Sequence, residues 1–168
     1  IIIGGVGFLT WNDIREHKLH FRRYRLQSKL VLTTTLALIL TGLLFFLLYE
    51  FEQGQWVDMS LWERINAAFF QSVTPRTAGF NTVDLTGLSQ PAQLLIILLM
   101  LVGGSPGSTA GGFKTTTLAV MLLGIRAVFR HKERPQCFGR RIADESIRNA
   151  SAIFLLYLLL FLTGGILI

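Results

Sequence analysis

Apolar and polar residues fall in blocks along this chain rather than in short alternation. Residues 30–49 are apolar with only Thr and Gly interruptions, matching the ~20 residues that a membrane-spanning helix requires. Residues 1–10, IIIGGVGFLT, read as the end of a preceding span, and residues 146–168 as the start of a following one. Charged linkers at residues 11–29 and 131–145 separate these blocks, and residues 50–59 form a more polar loop. The order is therefore span end, span, loop, a short helical stretch, an irregular span and a new span. These blocks predict an all-α membrane protein.

Residues 60–90 contain the short stretch. Ser60-x-x-Glu63 is a capping-box pattern for a helix N-terminus. An apolar run at residues 65–70, with Asn66 its one polar member, follows, and Pro75 ends the helix because the residue before proline is driven out of the α region. The helix is too short to cross a bilayer. It runs into Thr77-Ala78-Gly79-Phe80-Asn81, a small and glycine-containing segment. A short helix that enters, breaks and leaves through an extended glycine loop is the layout of a channel pore loop, whose backbone carbonyls replace water around a cation. Little bulk at Ala78 and freedom at Gly79 suit that role, with Phe80 wedging the loop against neighbouring helices. An ordinary external turn favours the same Pro, Gly and Asn. Arg76 would repel a cation if it faced the axis, so it is expected to point away and pair with a carboxylate or backbone carbonyls.

The span at residues 91–130 is irregular. Residues 91–121 alone would make a helix of about 45 Å against a hydrocarbon core of about 30 Å. Its middle is Gly103-Gly104-Ser105-Pro106-Gly107-Ser108-Thr109-Ala110-Gly111-Gly112, and five glycines and a proline argue against a continuous helix. The reading is an outer half, a break, and an inner half starting near Lys114. Irregular backbone at membrane depth survives only when buried in protein or beside a wet cavity, so the break points to a pathway, or else to a plain hinge. Gly107 and Gly112 have the spacing of a phosphate-binding loop, but Phe113 delays Lys114-Thr115 by one residue and no strand precedes it. Lys114 reads instead as a cation near the inner mouth, an anchor for the break, a movable plug or a snorkelling lysine.

Composition agrees with this picture. Of 168 residues, 51% are hydrophobic, high for a water-soluble domain, and the net charge is +6. Basic residues cluster at residues 15–29 and 126–148, while the region between is mostly acidic, so the positive-inside rule puts both basic linkers in the cytoplasm of a multi-pass cell-membrane protein. Topology accounts for these clusters without nucleic acid. The lone Cys137 supports neither a disulfide framework nor a metal site. His17, His20 and His131 lack ligand spacing, and no Ser/His/Asp set or paired acids suggest enzyme chemistry. A weak internal repeat relates Gly7-Phe8-Leu9-Thr10 to Gly112-Phe113-Lys114-Thr115. Two rival classes are a membrane-embedded enzyme using Lys114 with Ser and Thr hydroxyls, and a structural anchor.

The stretch from Phe70 to Thr82, FQSVTPRTAGFNT, followed by GGSPGSTAGGFKTTT from Gly103, resembles the Trk/Ktr/HKT superfamily of potassium transporters, at the third of its four repeats. The basic linker and QSKLVLTTT from Gln27 look more like the KtrB-type branch than the TrkH-type branch. The resemblance covers essentially the whole chain, as the end of repeat two, all of repeat three and the start of repeat four. It implies helix–pore-loop–helix repeats around one pore, with a broken second helix. Thr77, Ala78, Gly79, Phe80 and Asn81 would be the selectivity filter. Residues 103–112 would be an intramembrane gate, with Lys114 beside it. It further implies K+ as the transported ion, frequent Na+ stimulation, no organic cofactor, a homodimer, and a cytosolic ring of nucleotide-binding RCK-type regulatory subunits.

Overall fold

A computed structural model of the chain describes residues 1–18, 20–50, 52, 54–131 and 135–167. Lys132 and Arg134 of the second basic cluster lie outside the described residues. Among the described residues, seven α-helices appear in chain order: α1 (Ile2–Gly5), α2 (Phe8–His17), α3 (Leu26–Tyr49), α4 (Leu61–Val73), α5 (Gln90–Leu101), α6 (Thr115–Phe129) and α7 (Asp144–Leu167). One two-stranded hairpin, β1 (Gln136–Cys137) and β2 (Arg140–Arg141), joins α6 to α7. Among the described residues, α3 and α7 are long and apolar enough to cross a membrane, with mean hydropathies of 2.4 and 2.3.

α3 begins four residues before the apolar block that hydropathy marks, and the reason is a cap supplied from elsewhere in the chain. Asp13 on α2 accepts the Arg25 backbone N–H at 3.0 Å and the Ser28 hydroxyl at 2.7 Å. It also faces the Arg25 guanidinium at 3.5 Å. A carboxylate there satisfies donors that a helix start leaves open and suits the positive end of the dipole. Asp13 is only 1% exposed. Burial alone would raise its carboxyl. The Ser28 hydroxyl, the Arg25 amide and the charges of Arg25 and His17 outweigh that and hold it below the ordinary range.

The other end of α3 is tied by a second buried carboxylate. Glu50 accepts the Ser89 backbone N–H at 3.1 Å and the Ser89 hydroxyl, and Ser89 caps α5. Between these ties α3 and α4 approach closely at Gly42, where an added Cβ would meet Ser72 Oγ at 2.7 Å. Ser72 uses that proximity to donate to the Ile39 carbonyl at 2.6 Å. Phe46, Trp56, Ala67, Ala68, Val83 and Ile96 form the core around this contact, with the Phe46 and Trp56 rings stacked at 6.2 Å. α6 packs on both α3 and α7. Much of α7 beyond residue 152 is exposed apolar surface, including Leu155, Leu159 and Leu160.

The hairpin is a feature that block hydropathy reads only as linker. Its turn residues Phe138 and Gly139 both have positive φ, 51° and 74°, as a two-residue type I′ turn demands. The Phe138 ring meets Phe21 at 5.9 Å and the Lys29 ammonium at 5.7 Å, so the two basic linkers touch.

The lowered Asp13 carboxyl has a defined pH signature. A group whose folded value lies below its free value, about 3.9, lends stability that is complete above that value and lost as pH falls through the folded one. Asp13→Asn should lower stability by about 1–3 kcal/mol at neutral pH. The gap to wild type should close below about pH 4 in thermal melts of the detergent-purified full-length protein.

Candidate ion pathway

The capping box at the start of α4 forms in both directions. Ser60 Oγ accepts the Glu63 amide at 3.4 Å, and Glu63 accepts the Ser60 amide at 2.8 Å. α4 ends at Val73, and Thr74, Pro75 and Arg76 turn the chain sharply. The amides of Ala78 and Gly79 both return to the Thr74 carbonyl, at 3.1 and 3.3 Å. Thr77 and Gly79 then take positive φ, 69° and 73°. For glycine this is free, whereas for β-branched Thr77 it is strained, a state that persists only where surrounding structure imposes it.

That turn leaves the carbonyls of Thr77, Ala78 and Gly79 without hydrogen-bond donors among the described residues. Phe80 differs, because its carbonyl accepts the Thr74 hydroxyl. Its ring is 68% exposed, so it does not wedge the loop against the helices described here. Beside the turn lies a cavity of about 440 Å³, lined by Thr77, Ala78, Gly79 and Asn81 on one side and Ile96 and Met100 of α5 on the other. Gly79 faces open space, since an added Cβ there would meet nothing within 4 Å. A second cavity, about 660 Å³, lies beside the N-terminal part of α4 and carries Asp58 and Glu63.

Sequence reading passed over Gln71. It is fully buried one turn before Pro75, lines the cavity, and neither its amide oxygen nor its nitrogen has a partner among the described residues. A run of polar residues, Gln71, Ser72 and Thr74, closing an apolar helix segment just ahead of Pro75 is the available signal.

The irregular span is broken where the glycines sit. α5 stops at Leu101 and α6 starts at Thr115. Residues 102–114 fold into a closed loop whose ends meet. The Gly103 amide donates to the Phe113 carbonyl at 2.9 Å, and the Phe113 amide to the Leu101 carbonyl at 3.2 Å. The approach is so close that a Cβ on Gly103 would stand 1.7 Å from the Gly111 carbonyl oxygen. Inside the loop, Ser108 Oγ donates to the Ser105 carbonyl at 2.6 Å. Lys114 Nζ donates to the Ala110 carbonyl at 2.7 Å, so of the roles open to it the geometry displays the anchor. Pro106, Gly107 and Thr109 form the tip, where Phe8 donates its amide to the Gly107 carbonyl at 3.3 Å and Ser105 donates to Gly5 at 2.9 Å. Gly104 and Thr115 close the base, with the Thr115 amide on the Gly104 carbonyl at 3.2 Å. Gly112, like Gly7 in the weak repeat, has positive φ, 77° against 84°. Arg76 reaches across to this loop and donates from Nη2 to the Gly103 carbonyl at 3.3 Å.

Comparison with known proteins matches all of residues 1–168 to the TrkH family, described as cation transport protein. The chain is 40% identical over 154 residues to the potassium/sodium uptake protein NtpJ of Enterococcus hirae, covering 92% of this chain and 34% of that protein. It is 37% identical over 154 residues to Ktr system potassium uptake protein B of Vibrio alginolyticus, covering 90% and 34%. In fold it is similar to the crystal structure of the potassium transporter TrkH from Vibrio parahaemolyticus, with a TM-score of 0.74 and 21% identity over 96% of this chain and 36% of that one. The chain spans about a third of the length of these relatives.

The closed loop makes its own prediction. Gly103→Ala must push backbone from backbone, so stability should fall by about 1–3 kcal/mol. In a Cys137→Ser background, a Ser108→Cys thiol should label faster once Gly103 is Ala, as measured with a membrane-impermeant maleimide.

Proposed function

Because the chain belongs to the TrkH family of cation transport proteins, we propose that it forms one helix–pore-loop–helix unit of a potassium-uptake pore in the cell membrane. The protein is a transporter and not an enzyme, as its named relatives are. The observation that carries the reading is the turn after α4, where three consecutive carbonyls lack donors and border an open cavity.

In this reading Thr77, Ala78, Gly79 and Asn81 present oxygen to a dehydrated K+, with Phe80 holding the turn through Thr74. The C-terminal end of α4 adds partial negative charge nearby. Asp58 and Glu63 draw cations toward the mouth. Residues 103–112, closed by Lys114, obstruct the path below, and transport follows their displacement. Membrane potential drives entry, worth about 2.3 kcal/mol per charge per 100 mV. The relative named a potassium/sodium uptake protein supports a place for Na+ alongside K+.

Regulation fits the cytoplasmic side of the same unit. The relatives of the Ktr systems support further subunits, and we assign the contact surface for a nucleotide-binding ring to the basic linkers. A cavity of about 410 Å³ lies between Pro106 of the loop and Arg141 and Ile142 of the hairpin end, giving that surface a short route to the gate. A homodimer would bring two such pores onto one ring.

Two variants test the reading in the full-length transporter. Gly79→Ser places a side chain at φ 73°, a strain of about 1–3 kcal/mol, and should cut K+ uptake at least several-fold while relaxing K+ over Na+ preference. Deleting residues 104–111 should raise uptake. Unchanged selectivity in the first or unchanged flux in the second removes the filter or the gate assignment respectively.

A further inference from the structure

Arg76 is one side chain shared by the turn after α4 and the loop of residues 102–114. It is 8% exposed, and its Nη2 donates to the Gly103 carbonyl at 3.3 Å. Its Nε is buried without a partner. Among the described residues no carboxylate pairs with it, since the one ion pair found joins Arg25 to Asp13. Together with Thr35, Val73 and Gly104, Arg76 lines a gap of about 10 Å³, room for about one water molecule at most.

A buried cation without a counter-ion depends on whatever dipoles reach it. Here that dipole belongs to the loop, at the residue where α5 hands over to irregular backbone. If the loop swings away, the Gly103 carbonyl goes with it and the guanidinium is left buried with its donors open. Displacement of the loop therefore carries the added cost of stranding or rehydrating Arg76. The backbone of Arg76 is itself fixed in the turn, through its amide on the Val73 carbonyl at 3.3 Å, next to Thr77. We propose that Arg76 is a positioning residue that latches the loop in its obstructing position and ties it to the base of the filter turn. The inference rests on the filter and gate reading above and adds a residue to it.

The test uses the full-length assembled transporter in a Cys137→Ser, Ser108→Cys background, with maleimide labelling and K+ uptake measured together. Arg76→Gln should speed labelling of position 108 by about tenfold or more, the worth of a hydrogen bond to a charged group. It should raise K+ uptake when the loop is intact, and in the strain lacking residues 104–111 it should add nothing. Arg76→Lys keeps the charge but not the fork of donors and should give an intermediate labelling rate. It carries the same readouts if Arg76→Gln does not assemble. Wild-type labelling rates in both variants would overturn the latch. An equal change in uptake with and without the loop would overturn it too, placing Arg76 on the filter alone. If deletion of the loop itself leaves uptake unchanged, the gate reading fails, while the labelling rate still reports whether Arg76 holds the loop.

Discussion

Backbone that leaves a helix must find other hydrogen-bond partners, and residues 102–114 show how this chain meets that demand. The loop pairs its own two ends, spends Ser108 and Lys114 on its internal carbonyls, and takes further bonds from Phe8 and Arg76. Glycine lets these strands of backbone come within bonding distance, as the overlap at Gly103 shows. Few of the partners are covalent neighbours, so the loop is held by a set of separate contacts.

The turn after α4 solves a related problem in the opposite sense. There the Thr74 carbonyl absorbs two amides and the Thr74 hydroxyl absorbs the Phe80 carbonyl. What remains are oxygens with nothing to accept, facing a cavity. Thr77 and Gly79 are exposed at the cavity, and Thr77 holds its strained backbone there. Gln71, with its amide orphaned behind the same turn, belongs to this pattern of polar groups left open around one cavity.

Three of the four buried charged side chains among the described residues pin the helices around these two segments. Asp13 caps α3 at one end, Glu50 joins its other end to α5, and Arg76 crosses from the turn to the loop. Each connects elements far apart in sequence. Lys29, near the Phe21 and Phe138 rings, fastens one linker to the other at the start of α3. Apolar packing of Phe46, Trp56 and Ala68 holds the opposite end, leaving the outward face of α7 as open apolar surface.

Much of this was legible without coordinates. The Ser60–Glu63 capping box, the helix end ahead of Pro75 and the break at Gly103 to Gly112 depend on residues within a few positions of one another. Thr74 keeps α backbone, φ −62° and ψ −36°, against the expectation that it leaves that region, so the stop comes from the amide that Pro75 cannot donate. Hydropathy likewise marks α3 and α7, because solvent preference sums along a helix whatever surrounds it. The early start of α3, the hairpin at Phe138, the outward Phe80 and the partner of Arg76 were not legible. The start of α3 and the partner of Arg76 depend on atoms delivered from another part of the chain, Asp13 to Ser28 and Gly103 to Arg76, while Phe80 and the hairpin are set by local backbone geometry that hydropathy does not record. Sequence pattern determined which segments form long apolar helices, break and turn. Tertiary structure alone decided which buried charge meets which carbonyl, because that pairing is a matter of distance in space and leaves no period along the chain.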